Sequence, residues 1–171
     1  MKYKLTDETM TTECGVLLHR IECVCSFGNV KAGDKGGWVQ NENNLSKNGN
    51  AWVFDNARVY DKAQVCGDAR VYEKARVYGD ARVFDNAQVC GDALIGNSND
   101  YIVFKNNWSS GRWFTWTRSN DMWKVGCFYG TGKDLIEKAY NDSKISGDCY
   151  KAYVELVDKL KEIFEKEQQK Q

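Results

Sequence analysis

The sequence predicts a mainly β chain with a helical tail, built around a short parallel β-helix, and three observations carry that prediction. From Asn50 to Asn97 the chain advances in six-residue steps: NAWVFD, NARVYD, KAQVCG, DARVYE, KARVYG, DARVFD, NAQVCG, DALIGN. Alanine recurs at 51, 57, 63, 69, 75, 81, 87 and 93, and an aliphatic residue recurs at 53, 59, 65, 71, 77, 83, 89 and 95. The flanks lack this period and carry longer strand-like and helix-like runs instead. A strict period of six with one small and one aliphatic position is the signature of a parallel β-helix.

Composition narrows the function classes. A length of 171 residues suits one domain or one repeat module with small flanking units. The 24 basic and 24 acidic side chains cancel, so no global field draws the chain onto nucleic acid or an acidic membrane. The opening "MKYKLTDETMTTECGV" lacks the apolar core of a secretory signal, and no later run has the length and apolarity of a membrane span. The expectation is a cytoplasmic protein with no membrane partner. Seven cysteines in irregular spacing predict reduced thiols. Cys23 and Cys25 stand near His19, the one histidine, without the spacing and further ligands of a zinc site. No metal, cofactor or catalytic residue is expected.

Residues 1–49 read as an N-terminal β cap, with "KYKLT", "GVLLHRIECVCSF" and "GGWVQ" as short strands and "AGDKGG" as a turn. An open repeat stack needs such a cap to hide its apolar end and unpaired edges. In residues 50–97 each hexad supplies a short strand whose central valine points inward and whose two neighbours point out. The dipeptides that follow, such as Asp61-Lys62 and Gly79-Asp80, are turn formers, with Glu73-Lys74 the weakest. In residues 98–171, "DYIVFKNN", "RWFTWTRS" and "MWKVGCFYG" read as a three-stranded meander. A first helix starts at Thr131 or Asp134. A second runs from about Asp148 to Lys166, with Tyr150, Tyr153, Val154, Val157, Leu160, Ile163 and Phe164 along one core-facing stripe. Residues 165–171 are expected to fray.

The repeat block resembles the left-handed β-helix of hexapeptide-repeat acyltransferases. That resemblance implies a three-sided coil of about 18 residues. Hexads one, four and seven then share one side, with Trp52, Phe54, Arg70, Tyr72, Gln88 and Cys90 outward. Hexads two, five and eight share the second, placing Arg58 over Arg76 and Tyr60 over Tyr78. The third carries Gln64, Cys66, Arg82 and Phe84. Stacked arginines repel and call for nearby acids or a ligand. Arg58, Tyr60, Arg76 and Tyr78 are therefore one candidate binding ladder, for a nucleotide, a nucleic acid or an acidic protein surface. The competing reading pairs the arginines with corner aspartates. Across the block six basic residues face seven acidic ones, which favours a protein partner over a polyanion. A second candidate surface is aromatic: Trp52 and Phe54, with Trp108, Arg112, Trp113, Trp116 and Trp123 from the meander. Tryptophan and arginine dominate interface energetics, while strand alternation buries about half of the meander set. Exposed aromatic positions also predict a homo-oligomer. The acyltransferases commonly use a histidine base, and this chain has none within or after the repeats. The chain is accordingly expected not to be an enzyme.

The segments "KYKLTDET", "LHRIECV", "GDKGGWVQNENNLSKNGNAWV", the "ARVYGDA" units and "VGCFYGTGKDLIEKA" resemble small hexapeptide-repeat proteins of bacterial phages and prophages, often labelled polymer-forming. This resemblance implies a phage accessory protein in the bacterial cytoplasm. The leading expectation is a protein-binding module that inhibits a host defence system, such as a CRISPR or other anti-phage complex, by binding a host protein. The alternative is an oligomeric nucleotide or nucleic-acid binder. An acyltransferase and a structural assembly unit rank below both.

Overall fold

A computed structural model of the chain describes residues 1–169. Eight two-residue strands lie at the centre: β4 (Trp52–Val53), β5 (Arg58–Val59), β6 (Gln64–Val65), β7 (Arg70–Val71), β8 (Arg76–Val77), β9 (Arg82–Val83), β10 (Gln88–Val89) and β11 (Leu94–Ile95). They stack in parallel as β4-β7-β10, β5-β8-β11 and β6-β9. This is the grouping that a coil of three hexads requires. All the repeat alanines from Ala51 to Ala93 and the aliphatic residues from Val53 to Ile95 are fully buried.

The corners explain the turn residues. Asp55, Asp61, Glu73 and Asp85 have φ between 51° and 57°, as do Gly67, Gly79 and Gly91 with φ of 60–70°. Glycine enters this left-handed region freely and aspartate better than most residues, whereas Glu73 pays the full steric cost. Its carboxylate accepts the Gly91 N–H at 2.8 Å, which ties the corner to the next coil.

The parallel ladder begins before the regular repeats. A hairpin of β1 (Tyr3–Thr11) and β2 (Leu17–Cys23) continues into β3 (Lys35–Val39), which pairs antiparallel with β2 and parallel with β5. Leu45 bridges Val65 in the same parallel sense. One side of the prism is thereby extended into the sheet β1-β2-β3-β5-β8-β11.

Each coil donates amides to the next, as in Tyr60 N–H to Val77 O at 3.0 Å and Tyr78 N–H to Ile95 O at 2.9 Å. The first coil is therefore left with carbonyls that have no preceding coil. Lys2 Nζ donates to Ser46 O at 3.1 Å and Ala51 O at 2.6 Å, and the Tyr3 hydroxyl donates to Glu42 O and Leu45 O at 3.0 and 2.7 Å. At the other end, Thr115 Oγ1 accepts from Gln88 N at 2.9 Å, Ser119 Oγ from Leu94 N at 2.8 Å, and Asp100 Oδ2 from Gly96 N at 2.8 Å. Donors close one end and mainly acceptors the other; the Tyr101 hydroxyl adds a donor to Arg82 O at 3.0 Å.

The C-terminal sheet has four strands, not three: β12 (Tyr101–Lys105), β13 (Trp113–Thr117), β14 (Met122–Val125) and β15 (Phe128–Gly130). "MWKVGCFYG" folds back on itself because Gly126 adopts φ 57°. Thr131 caps α1 (Gly132–Asp142), and Ser143 caps α2 (Lys144–Gln168), four residues before the expected start. Gly147 lies inside α2 against the Tyr140 ring, where a Cβ would collide at 2.1 Å. The two helices and the sheet bury Phe114, Trp116, Trp123, Val125, Leu135, Ala139, Tyr150, Val154 and Val157. Beyond Val157 the expected stripe opens to solvent, with Leu160 and Ile163 exposed and Phe164 covered by Arg118 at 4.9 Å. The helix continues through Gln168, so residues 165–168 are helical where fraying was expected; positions 170–171 of that expectation lie outside the described residues. Among the described residues no helix is long and apolar enough to cross a membrane.

Two predictions follow from the closed ends. Thr115→Val preserves shape but removes the acceptor for Gln88 N–H, and urea unfolding should show a loss of about 1–3 kcal/mol. Burial pushes Tyr3, Tyr101, Tyr129 and Cys90 up to about 12 from ordinary values of 10.0 and 9.0. The unfolded chain releases these protons first, so stability is full below about pH 9 and falls as pH rises toward 12. Burial lowers Lys2 to about 8 from 10.5, which adds stability between those values, one group against four. Denaturant midpoints measured from pH 8 to 11 should show the net loss, and Tyr101→Phe should flatten it.

Candidate functional site

The Arg58–Arg76 ladder forms in register, and the Tyr60 and Tyr78 rings stack with centroids 5.6 Å apart and planes 13° apart. The tight turn after β1, closed by Thr12 N–H to Val16 O at 2.9 Å and by Gly15 at φ 82°, swings Glu13 onto the arginines. Glu13 Oε1 lies 3.2 Å from Arg58 Nη1 and 3.1 Å from Arg76 Nη2, and both guanidinium groups also donate to Oε2. A glutamate from the cap, not the corner aspartates, is shared by the two arginines and offsets one of their two charges. Tyr60 is 8% exposed, and burial raises its hydroxyl above the ordinary tyrosine range. Tyr78 packs against Gly96, whose missing side chain leaves the ring its place.

The aromatic set divides. Trp52 does point outward from its coil, but Tyr3 and Phe27 cover it edge-on at 6.2 and 5.5 Å, leaving it 1% exposed. Trp116 and Trp123 belong to the C-terminal core, with Trp116 Nε1 donating to Asp121 Oδ1 at 2.8 Å. These three tryptophans are therefore corrected from contact surface to core, since cap and helices cover the faces they occupy. Phe54 is half-buried and stacks on Tyr72 at 4.7 Å.

Trp108, Arg112 and Trp113 form a different group at the β12–β13 turn. Trp108 is 86% exposed, beyond any other large apolar side chain among the described residues. Its turn is organised by Asn106, which is fully buried. Asn106 Oδ1 accepts from the amides of Trp108 and Ser109 at 3.2 Å each, its Nδ2 donates to Ser109 Oγ at 2.6 Å, and its own amide donates to Arg112 O at 3.0 Å. Trp113 is half-buried with Lys105 Nζ 6.0 Å from its ring, and Arg112 is exposed beside it. Residues 101–120 hold Lys105, Arg112 and Arg118 and no acid. The buried role of Asn106 was not read from the sequence, although an asparagine two residues before the tip of a turn is a known turn former.

The sulfur and imidazole groups stand apart from one another chemically. His19 Nδ1 lies 3.3 Å from Thr6 O, and Cys23 Sγ donates to Cys25 O at 3.3 Å, with burial raising the Cys23 thiol. Among the described residues no cluster of histidine, cysteine and carboxylate side chains is arranged to hold a metal ion.

Fold and surfaces define a capped β-solenoid repeat protein with a four-stranded sheet and two helices closing its C-terminal end. In keeping with that class, a family model described as the YdcK beta solenoid repeat matches residues 63–74 and 75–91. A curated relative, the "uncharacterized acetyltransferase YdcK" of Escherichia coli strain K12, is 35% identical over 75 residues. The match covers 39% of this chain and 23% of the relative, so the chain spans about a quarter of that protein's length. The expectation of a non-enzyme is corrected by this finding. It rested on the absence of a histidine from the repeats, and a protein that carries an acetyltransferase name matches this chain.

The Glu13 contact has a direct readout. Its own backbone amide and the two arginines hold its carboxyl below the usual glutamate value. An NMR titration should place its midpoint below 4.5, and Arg58→Gln with Arg76→Gln should move it part of the way back, the backbone contribution remaining.

Proposed function

We propose that this chain is a partner-binding β-solenoid in which the prism and the C-terminal sheet hold the 106–112 turn rigid, and a protein docks on Trp108 with Arg112 and Trp113 beside it. The observation that carries this reading is a tryptophan 86% exposed on a turn whose asparagine is fully buried and hydrogen-bonded. Leaving a large aromatic side chain in water forgoes its burial energy, and a turn ordered in advance loses little entropy on docking. Lys105 and Arg112 give the surface a positive rim that suits an acidic partner. The resemblance to phage and prophage proteins supports a bacterial host protein, a component of a defence complex, as that partner.

A second reading is acetyl transfer, favoured by the name of the E. coli relative. It predicts release of free coenzyme A from acetyl-coenzyme A when the protein is mixed with its acceptor.

Trp108→Ala tests the first reading. A partner retained stoichiometrically by the wild-type chain should bind about thirtyfold more weakly to the variant, the loss typical of a central aromatic anchor. Thermal unfolding should not change, because the side chain buries little surface. Undiminished binding by Trp108→Ala would sink the proposal.

A further inference from the structure

Beyond the Trp108 surface, the structure holds a cleft between the first side of the prism and the β14–β15 hairpin, with a volume of about 420 Å3. Arg70 projects into it from the middle rung of the stack β4-β7-β10, and Lys124 from β14 of the sheet that closes the prism. Both are half-buried. Neither makes an ion pair or a side-chain hydrogen bond to any described residue. The contrast with the second side is direct, because Arg58 and Arg76 there share the Glu13 carboxylate.

The cleft does contain two acids, which keep their charge, but neither carboxylate is ion-paired to Arg70 or Lys124, and each is held by a backbone amide. Asp55 Oδ2 accepts from Glu73 N at 3.3 Å, and Glu73 Oε2 accepts from Gly91 N at 2.8 Å, so each is turned along the corner it ties to the next coil. The thiol in the wall, Cys90, is buried and pushed up to about 12, so it stays neutral and does not compensate the cations. Two cations held partly out of water by a rigid wall, without a carboxylate on either, favour an anion between them. The Gln88 side-chain carboxamide is the neutral donor available from the same lining.

We propose that this cleft is a binding site for a small molecule bearing a phosphate or carboxylate group, held by Arg70 and Lys124. Arginine matches either group through its planar fork and lysine supplies a point charge. The site joins the prism to the C-terminal sheet, so an occupant bridges the two.

Cys127 lines the rim and is exposed, and it reports on the cleft. Trace labelling with iodoacetate and, separately, iodoacetamide gives a rate ratio at each cysteine, read by peptide mass spectrometry. The thiolate fraction cancels in that ratio, which leaves the pull of the surroundings on the reagent's negative charge. Cys25, also exposed and not among the cleft's lining residues, is the internal reference. The ratio at Cys127 should exceed that at Cys25 on the order of tenfold at low ionic strength. It should fall to the Cys25 value in Arg70→Gln with Lys124→Gln. In the wild-type chain, inorganic phosphate or acetate should protect Cys127 from iodoacetate at constant ionic strength. Protection at lower phosphate than acetate assigns a phosphoryl ligand, and the reverse order a carboxylate. Equal ratios at the two cysteines, a ratio unchanged in the double variant, or protection by neither anion would overturn the proposal. The protection measurement needs no variant and so stands even where the double substitution prevents folding.

Discussion

A stack of parallel coils passes its backbone hydrogen bonds from one coil to the next, and both ends are therefore left with polar groups and no following coil. In a prism of about three turns these ends are a large part of the molecule, and buried backbone groups without partners are costly. The flanking segments answer that demand chemically. Lys2 and Tyr3 bring donors to the carbonyls of the first coil, and Thr115, Ser119 and Asp100 bring acceptors to the amides of the last. The regular side chains of the repeat cannot do this themselves, because their alanines and valines are committed to the apolar column.

Closing the ends also decides what the outer faces have left to offer. The N-terminal cap covers Trp52 and sends Glu13 to the stacked arginines, so the second side is largely occupied by the chain's own residues. The C-terminal sheet must lie across the last coil to place Thr115 and Ser119, and its β14–β15 hairpin then overhangs Arg70 and Cys90. The same sheet fixes the β12–β13 turn, where Asn106 is buried and Trp108 is not. The cleft and the exposed tryptophan are both consequences of how the last coil is sealed.

Much of the prism was legible in the sequence because one residue type repeats at one function: alanine at the corner, valine inside, aspartate or glycine where φ turns positive. Stacking partners such as Arg58 and Arg76 follow from that period once the resemblance supplies a coil of three hexads. The rungs at Val39 and Leu45 were not legible, because the step from Leu45 to Val53 breaks the six-residue period and no alanine marks either rung. Outward orientation was also readable, but exposure was not. Trp52 faces away from its coil and is buried because another segment covers it, a fact that no local pattern encodes. The ladder's counter-charge was missed for the same reason, since Glu13 is 45 residues from Arg58. Glycine misled in one place and was overlooked in another: Gly126 splits one expected strand into two, and Gly147 sits within a helix because Tyr140 needs the space.

If the caps seal the stack, the prism opens as one unit and not coil by coil from its ends. Native-state amide exchange tests this most directly, by comparing Trp52, Gln88 and Leu94 in the outer rungs with Arg70 and Arg76 in the middle. The account predicts that all five amides exchange through the same global opening, with equal protection. Outer-rung amides that exchange orders of magnitude faster than the middle ones would contradict it, because the ends would then be fraying independently of the column between them.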